Sequence, residues 1–507
     1  MNRIRQHRVL ASALLLAATV AGCDSAYEDL FFDPERAPNA RIEYLFTQVL
    51  TGAELHIGYW EAYYRIYRNM SRWAQLTGTV NDDRMMNIDG SQWGDYWRQY
   101  YAERSMYVKE MEAIHDTLPT EVKAAYDVYI HLGRIIHAYQ TAEITDLWGD
   151  MPYAEAFTAR RPEGERNLFP KYDSQESIYD AVLQQLQDAS DALRNSSLVV
   201  HAALPTQDVF LGGDLNLWQR FANSVRLRLG MRLSEVAPGK ARAVVQEILT
   251  GGYPLVDVNT QNIIWRTTPN RGGDDRGLPT RESPQLAYAP KVMLDLMNTA
   301  NDPRRPVLFA PNAAGDFVGL PSSPDEQPAE VTREVFAYLN PPLFERHPTY
   351  PGAIITAAEV SFLKAEAYQR GWAAGDAAAA HRRALEQSVE YYYDLYNSNP
   401  NATPMPGPDP AAVQAFATSS SAAYDGTLRS IAVQKWIHLG VNQPYDAWAE
   451  LRRLDFPELP PDRFGGRVLE RTTRITYPSS ELSNNRESYA AVQGKDAPTT
   501  RVWWDVR

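Results

Sequence analysis

The chain has 507 residues, of which 44% are hydrophobic and 22% charged, a globular and not a disordered composition. Its net charge of −13, with no basic block, argues against a nucleic-acid partner. A single cysteine excludes any intrachain disulfide.

That cysteine is Cys23, and it follows a targeting segment. Arg3, Arg5 and Arg8 precede an apolar run from Val9 to Val20, and Ala21 and Gly22 follow. A positive start, a short apolar stretch and small residues make a signal peptide over residues 1–22, too short to span a bilayer. Val20-Ala21-Gly22-Cys23 resembles a bacterial lipobox, which implies cleavage before Cys23 and its lipidation. Several acyl chains anchor firmly where one gives marginal binding. Residues 23–40, mostly polar with Pro34 and Pro38, read as a tether. Residues 41–507 read as one body, although length alone allows about three domains. The Pro-rich stretches Pro321–Pro328 and Pro400–Pro410 are flanked by helical patterns and read as excursions from it.

Helical spacing begins near Arg41. Val122, Tyr126, Tyr129, Leu132, Ile136 and Tyr139 recur three or four apart between Glu121 and Trp148, and Gly149 and Pro152 stop the pattern. Ile178, Val182, Leu186, Ala189 and Leu193 form the next stripe, with Asp173 and Glu176 as its expected capping pair. Asp214 precedes a third, Trp218, Phe221, Val225, Leu229 and Leu233. Arg220, Arg226, Arg228 and Arg232 lie off that stripe, predicting a solvated or salt-bridged basic face. Val360, Leu363 and Ala367 lead to a stop at Gly371, and a partner helix starts near Asp376 through Ala380, Ala384 and Val389. The small residues at their crossing predict a tetratricopeptide-type hairpin. One hairpin cannot bury its own face, so the earlier helix pairs are candidate repeats. Strand-like alternation is scarce. The expected class is all-α, a tetratricopeptide-like helical-repeat scaffold with long irregular loops.

Catalytic constellations are missing from the sequence. It has no His-Glu-x-x-His, Gly-x-Ser-x-Gly or phosphate-cradling Gly-rich loop. His131 and His137 are six apart and share no helix face as metal ligands would. Asn87, Asp89 and Gly90 resemble a fragment of a calcium loop without its terminal Glu, so an Asx-rich turn is the better reading. The expectation is a non-enzyme with no cofactor and no metal.

The aromatic residues are more informative. With 12 Trp and 29 Tyr the chain is rich in them, and many crowd between Tyr59 and Tyr107. Stripes such as Trp93, Trp97 and Tyr100 ordinarily mean core. Between them runs a long polar loop, Thr77 to Gln92, and a second, Arg266 to Pro284, lies between Trp265 and Tyr288. Flat rings bind the C–H face of a sugar, and polar side chains bind its hydroxyl rim. The candidate ligand contacts are therefore Trp73, Asn87, Asp89, Trp93, Trp265, Arg281 and Tyr288.

Several strings resemble the SusD/RagB family of outer-membrane lipoproteins. They are AYQTAEITDLWGDMPYAEA from Ala138, NDPRR from Asn301 leading to GDFVGL, AEVSFLKAEAYQRGW from Ala358, QKWIHLGVNQPYDAWAELRRLDFP from Gln434, YPSSELSNN from Tyr477 and the terminal WWD from Trp503. They follow the family order over nearly the whole mature chain. The resemblance implies a cell-surface protein, lipid-anchored at Cys23 in the outer membrane. Such a protein captures an oligosaccharide, or in some members a peptide, and lids a SusC-like TonB-dependent transporter. It also places ligand-contacting loops in the two regions above. Two rival readings are a lipid-anchored hydrolase and a helical-repeat adaptor without a ligand. The motif residues themselves, including Gly149, Pro152, Trp436, Trp448, Arg452 and Arg453, read as structural.

Overall fold

The computed structural model describes residues 40–52, 61–80, 90–158, 164, 166–195, 197–266, 283–345 and 347–507. Cys23, Asn87, Asp89 and Arg281 lie outside the described residues. The helices of eight or more residues are α1 (Ile42–Gly52), α2 (Ala62–Met70, π-wound), α3 (Gly90–Gln99), α4 (Ser105–Thr117), α5 (Asp127–Trp148), α6 (Gln175–Arg194) and α7 (Leu215–Arg232). They continue with α8 (Pro238–Thr250), α9 (Lys291–Ala300), α10 (Ala357–Gln369), α11 (Ala377–Asn397), α12 (Pro410–Ala417), α13 (Leu428–Leu439) and α14 (Pro444–Leu454). Among the described residues the strands pair only as short two-stranded antiparallel sheets, such as β1 (Met151–Pro152) with β2 (Tyr172–Asp173). The fold is all-α, as the periodicities predict.

Helices pack as successive pairs. α5 lies on α6, α7 on α8, α10 on α11 and α13 on α14, and α7 and α10 join the pairs to one another. The α10–α11 hairpin starts where expected. The Thr356 hydroxyl accepts the Glu359 N–H, Gly371 takes a φ of +68°, and the Asp376 carboxylate accepts the N–H groups of Ala378 and Ala379. α5 is buried on almost every side, with polar His137, Gln140, Thr141, Thr145 and Asp146 enclosed among its apolar residues. It stops at Gly149, whose positive φ lets its N–H reach the Thr145 carbonyl at 2.7 Å.

Two local expectations are corrected. Asp173 does not cap α6. Its carboxylate is taken by the N–H groups of Tyr153 and Ala154, at 3.0 and 2.9 Å, so it ties β2 to the chain after β1. The cap falls to Ser174, whose hydroxyl accepts the Ser177 N–H. Of the four α7 arginines only Arg220 stays half-exposed, donating to Asn216 at 2.8 Å. Arg226, Arg228 and Arg232 are buried, and each finds a carboxylate: Glu247 at 2.6 Å, Glu359 at 2.6 Å and Asp446 at 3.2 Å. Of the two alternatives, the salt-bridged one holds.

These pairs belong to a charge network threaded through the helix interfaces. Arg453 bonds Glu366 and Glu450, and Lys435 reaches Glu450 at 2.8 Å. Arg304 of the NDPRR string is fully enclosed, clasping Asp302 and donating to Ser388 of α11 and Gln434 of α13. Trp504 of the terminal WWD donates its indole N–H to Asp146 at 2.7 Å. Buried charges persist only when paired in this way. The resembling strings are thus the places where distant segments lock together.

Candidate functional site

The segment that precedes residue 81 is paired with the segment that follows residue 282. Gly78 and Tyr288 exchange backbone hydrogen bonds of 2.7 and 2.9 Å, and Val80 donates to the Gln285 carbonyl at 2.8 Å. Loop 81–89 therefore departs from a stem that is paired with the stem closing loop 267–282. Gly78 is required for that approach. A Cβ there would sit 2.8 Å from the Ala289 carbonyl oxygen and 3.1 Å from the Tyr288 Cβ.

Further segments lace the same stem. Ala289 donates to Ala337, and Leu320 donates to Ala289, at 2.9 and 2.8 Å. Gln327, in the Pro-rich excursion, donates from its side-chain amide to the carbonyls of Thr79 and Pro321. Tyr288, Leu320 and Phe336 form a small apolar cluster apart from the main core. The Arg333 guanidinium lies over the Tyr338 ring, 4.2 Å from its centre. Asp462 brings in the C-terminal region. It accepts the Ser322 hydroxyl at 2.6 Å, and burial pushes its carboxyl above the ordinary range. Beyond Tyr288, the GDFVGL string that ends at Leu320 and the Pro-rich excursion, these residues carried no signal in the sequence. Their meeting depends on contacts between segments far apart in the chain.

The candidate rings fare differently from expectation. Trp73 is 2% exposed and Trp93 1% exposed, so neither is a loop-edge platform. Trp73 lies with its ring centre 4.9 Å from Trp448 and 6.4 Å from Trp93, which in turn packs edge-on to Trp148 at 6.1 Å. Loop-flanking position misled here, because the helical stripe that carries Trp93 continues inward onto the QKW–RR segment. Trp265 is also buried, in the strand β3 (Ile263–Trp265) and against Phe210 at 5.3 Å. Tyr288 is buried in the stem, its hydroxyl donating to the Val331 carbonyl at 3.0 Å. All four rings are buried among other side chains, where a loop-edge platform would be exposed. Trp436 and Trp448 are core, each 1% exposed.

A second concave feature lies on other elements. An open groove of about 870 Å³ runs along α11, walled by α12, the loop before it and the Val258–Asn259 segment. A smaller hollow of about 70 Å³ adjoins it, sharing Asn259 and Asp394 and reaching Arg266 and Tyr391. Among the described residues no group of three or more His, Cys, Asp or Glu side chains is placed to hold a metal ion. No described helix is long and apolar enough to cross a membrane.

A scaffold of packed helix pairs, with segments from distant parts of the chain laced around Gly78 and Tyr288, defines a helical-repeat protein of the SusD-like class. The family model described as "Starch-binding associating with outer membrane" matches residues 38–478, and the chain belongs to this SusD-like family. Solved structures agree in fold. A chitin-binding protein superposes with a TM-score of 0.76 at 23% identity, covering 92% of this chain and 100% of the other. A SusD-like protein from Bacteroides thetaiotaomicron gives 0.70 at 24% identity, with 92% and 99% covered. A chitin-binding SusD homolog from Flavobacterium johnsoniae gives 0.70 at 21%, with 92% and 99% covered. A search of curated proteins returns no match.

Proposed function

We propose that this chain is a lipid-anchored, cell-surface binding protein that captures an oligosaccharide and hands it to a SusC-like TonB-dependent transporter, without catalysis. The observation that carries the reading is the family match over residues 38–478. Two further points support it. The lipobox at Cys23 stands directly before the tether. Two of the similar structures are named as chitin-binding, which favours a sugar over a peptide.

With the rings buried, the ligand contacts are assigned to the loops themselves. Asn87, Asp89 and Arg281 supply donors and acceptors for a hydroxyl rim, on loops whose stems are paired at Gly78 and Tyr288. A site needs a concave surface with a few directed polar groups, and the pairing at Gly78 and Tyr288 brings the residue before position 81 near the residues after position 282.

Calorimetry on the purified chain, with maltoheptaose, N-acetylchitohexaose and a mixed tryptic peptide pool, tests the ligand class. Saturable binding of a saccharide, weakened by Asn87→Ala, Asp89→Ala or Arg281→Ala, is expected. Binding of peptides alone would overturn the sugar reading, and turnover of any saccharide would favour the hydrolase. For the anchor, Cys23→Ser should move the protein from the detergent phase to the aqueous phase. For the partner, a mild-detergent pull-down from native membranes should recover a large TonB-dependent barrel.

A further inference from the structure

We infer that the groove along α11 is a second oligosaccharide-binding site, separate from the loop site. It rests on the carbohydrate reading above but uses none of the same residues.

The wall of the groove on α11 extends from Ala379 to Asn397, about 27 Å of helix at 1.5 Å per residue. Glu386, Glu390 and Asp394 stand four residues apart along it, so their carboxylates line one face. Such a row repels itself, yet neither Glu386 nor Asp394 has a salt-bridge partner among the described residues. The Asn259 amide donates to Glu390 at 2.8 Å and fixes its rotamer. Arg382 stands at one end and Arg266 at the other, while Arg383 is paired with Asp257 at 3.0 Å. What it offers is a dense alternation of acceptors and donors. A polyol matches that pattern, because each hydroxyl both donates and accepts. Tyr393, Pro408 and Pro410 add apolar surface for C–H faces.

The second observation lies in the hollow. Tyr391 is 4% exposed, and its hydroxyl has no hydrogen-bond partner. It lines the hollow together with Arg266, Asn262 and Ser398. A buried polar group without a partner is costly, so a ligand hydroxyl that reaches it gains a hydrogen bond. At about 70 Å³ the hollow has room for a small substituent of a sugar ring, such as a hydroxymethyl group, while the ring chain runs along α11.

The test is calorimetric stoichiometry on the full chain with maltoheptaose and N-acetylchitohexaose, together with crystals soaked in the saccharide that binds. Two sites per chain are expected. Tyr391→Phe should weaken one of them about three- to tenfold, the range of a single neutral hydrogen bond. The pair Glu386→Ala with Asn397→Ala should abolish that site and leave the other intact. A single site that ignores these variants overturns the proposal and leaves the loop reading standing. A single site abolished by them keeps the groove and sinks the loop reading. Binding of neither saccharide overturns both. In the crystal, density for the saccharide along α11 supports the site, and an ordered water on Tyr391 with no saccharide in the soaked groove counts against it.

Discussion

Arg453 on α14 holds Glu366 on α10 through two parallel hydrogen bonds, Nη1 to Oε1 and Nη2 to Oε2, each 2.7 Å long and sealed from solvent. Burial pushes the Glu366 carboxyl up, but the charge and hydrogen bonds of Arg453 outweigh it and hold the group below its ordinary 4.5. Arg453→Ala removes the bidentate partner of Glu366 and leaves it with Arg370 alone, at 2.9 Å. It should cost about 3–5 kcal/mol, seen as a lower denaturant midpoint. A loss under 1 kcal/mol would mean that water or Lys435 replaces the lost partner.

Trp73→Ala and Trp93→Ala act on the core and not on a ligand face. Each should destabilise the fold by about 3–5 kcal/mol, because both rings are enclosed among other aromatics. Thermal unfolding checks this. Variants that keep wild-type stability while losing saccharide affinity would return these rings to the ligand face.

Gly78→Ala places a Cβ against the Ala289 carbonyl oxygen and prises the two loop stems apart. Overpacking of this kind costs about 1–3 kcal/mol. The larger effect should fall on saccharide affinity at the loop site, since both loops depend on this pairing. Unchanged affinity in calorimetry would show that the stem does not position the loops.

His137 is buried, and desolvation lowers its imidazole pKa from 6.5 to about 3. In the fold it stays neutral, whereas the unfolded chain binds a proton below 6.5. The unfolded state therefore binds more protons in that window, and stability falls as pH drops from 6.5 towards 3. Against wild type, His137→Gln should show a shallower pH dependence over pH 4–6, by at most one proton, or about 1.4 kcal/mol per pH unit. Parallel stability curves for the two proteins over that range would contradict it. His438, lowered to about 3 by burial, predicts the same behaviour at a second position.

Local patterning carried much of the scaffold. The spacing of Ile178, Val182 and Leu186, the cap at Asp214 and the paired helices either side of Gly371 were legible because they depend on residues within a few turns of one another. The class and the family strings follow from the same local regularity. The candidate contacts were less legible. Trp93 reads equally well as a loop edge and as a helical core position, and only the packing of Trp148 and Trp73 against it decides between them.

By itself, then, the sequence determined the helical class, several of the helix ends and the lone cysteine behind a lipobox, all properties of contiguous residues. Tertiary structure alone decided that Gly78 meets Tyr288, that the α7 arginines turn inward to Glu247, Glu359 and Asp446, and that α11 borders a groove. The reason is physical. Hydrophobic periodicity is written within a helix, but which buried charge finds which partner depends on contacts between residues often more than a hundred positions apart. Desolvation makes those pairings obligatory without marking them in either segment.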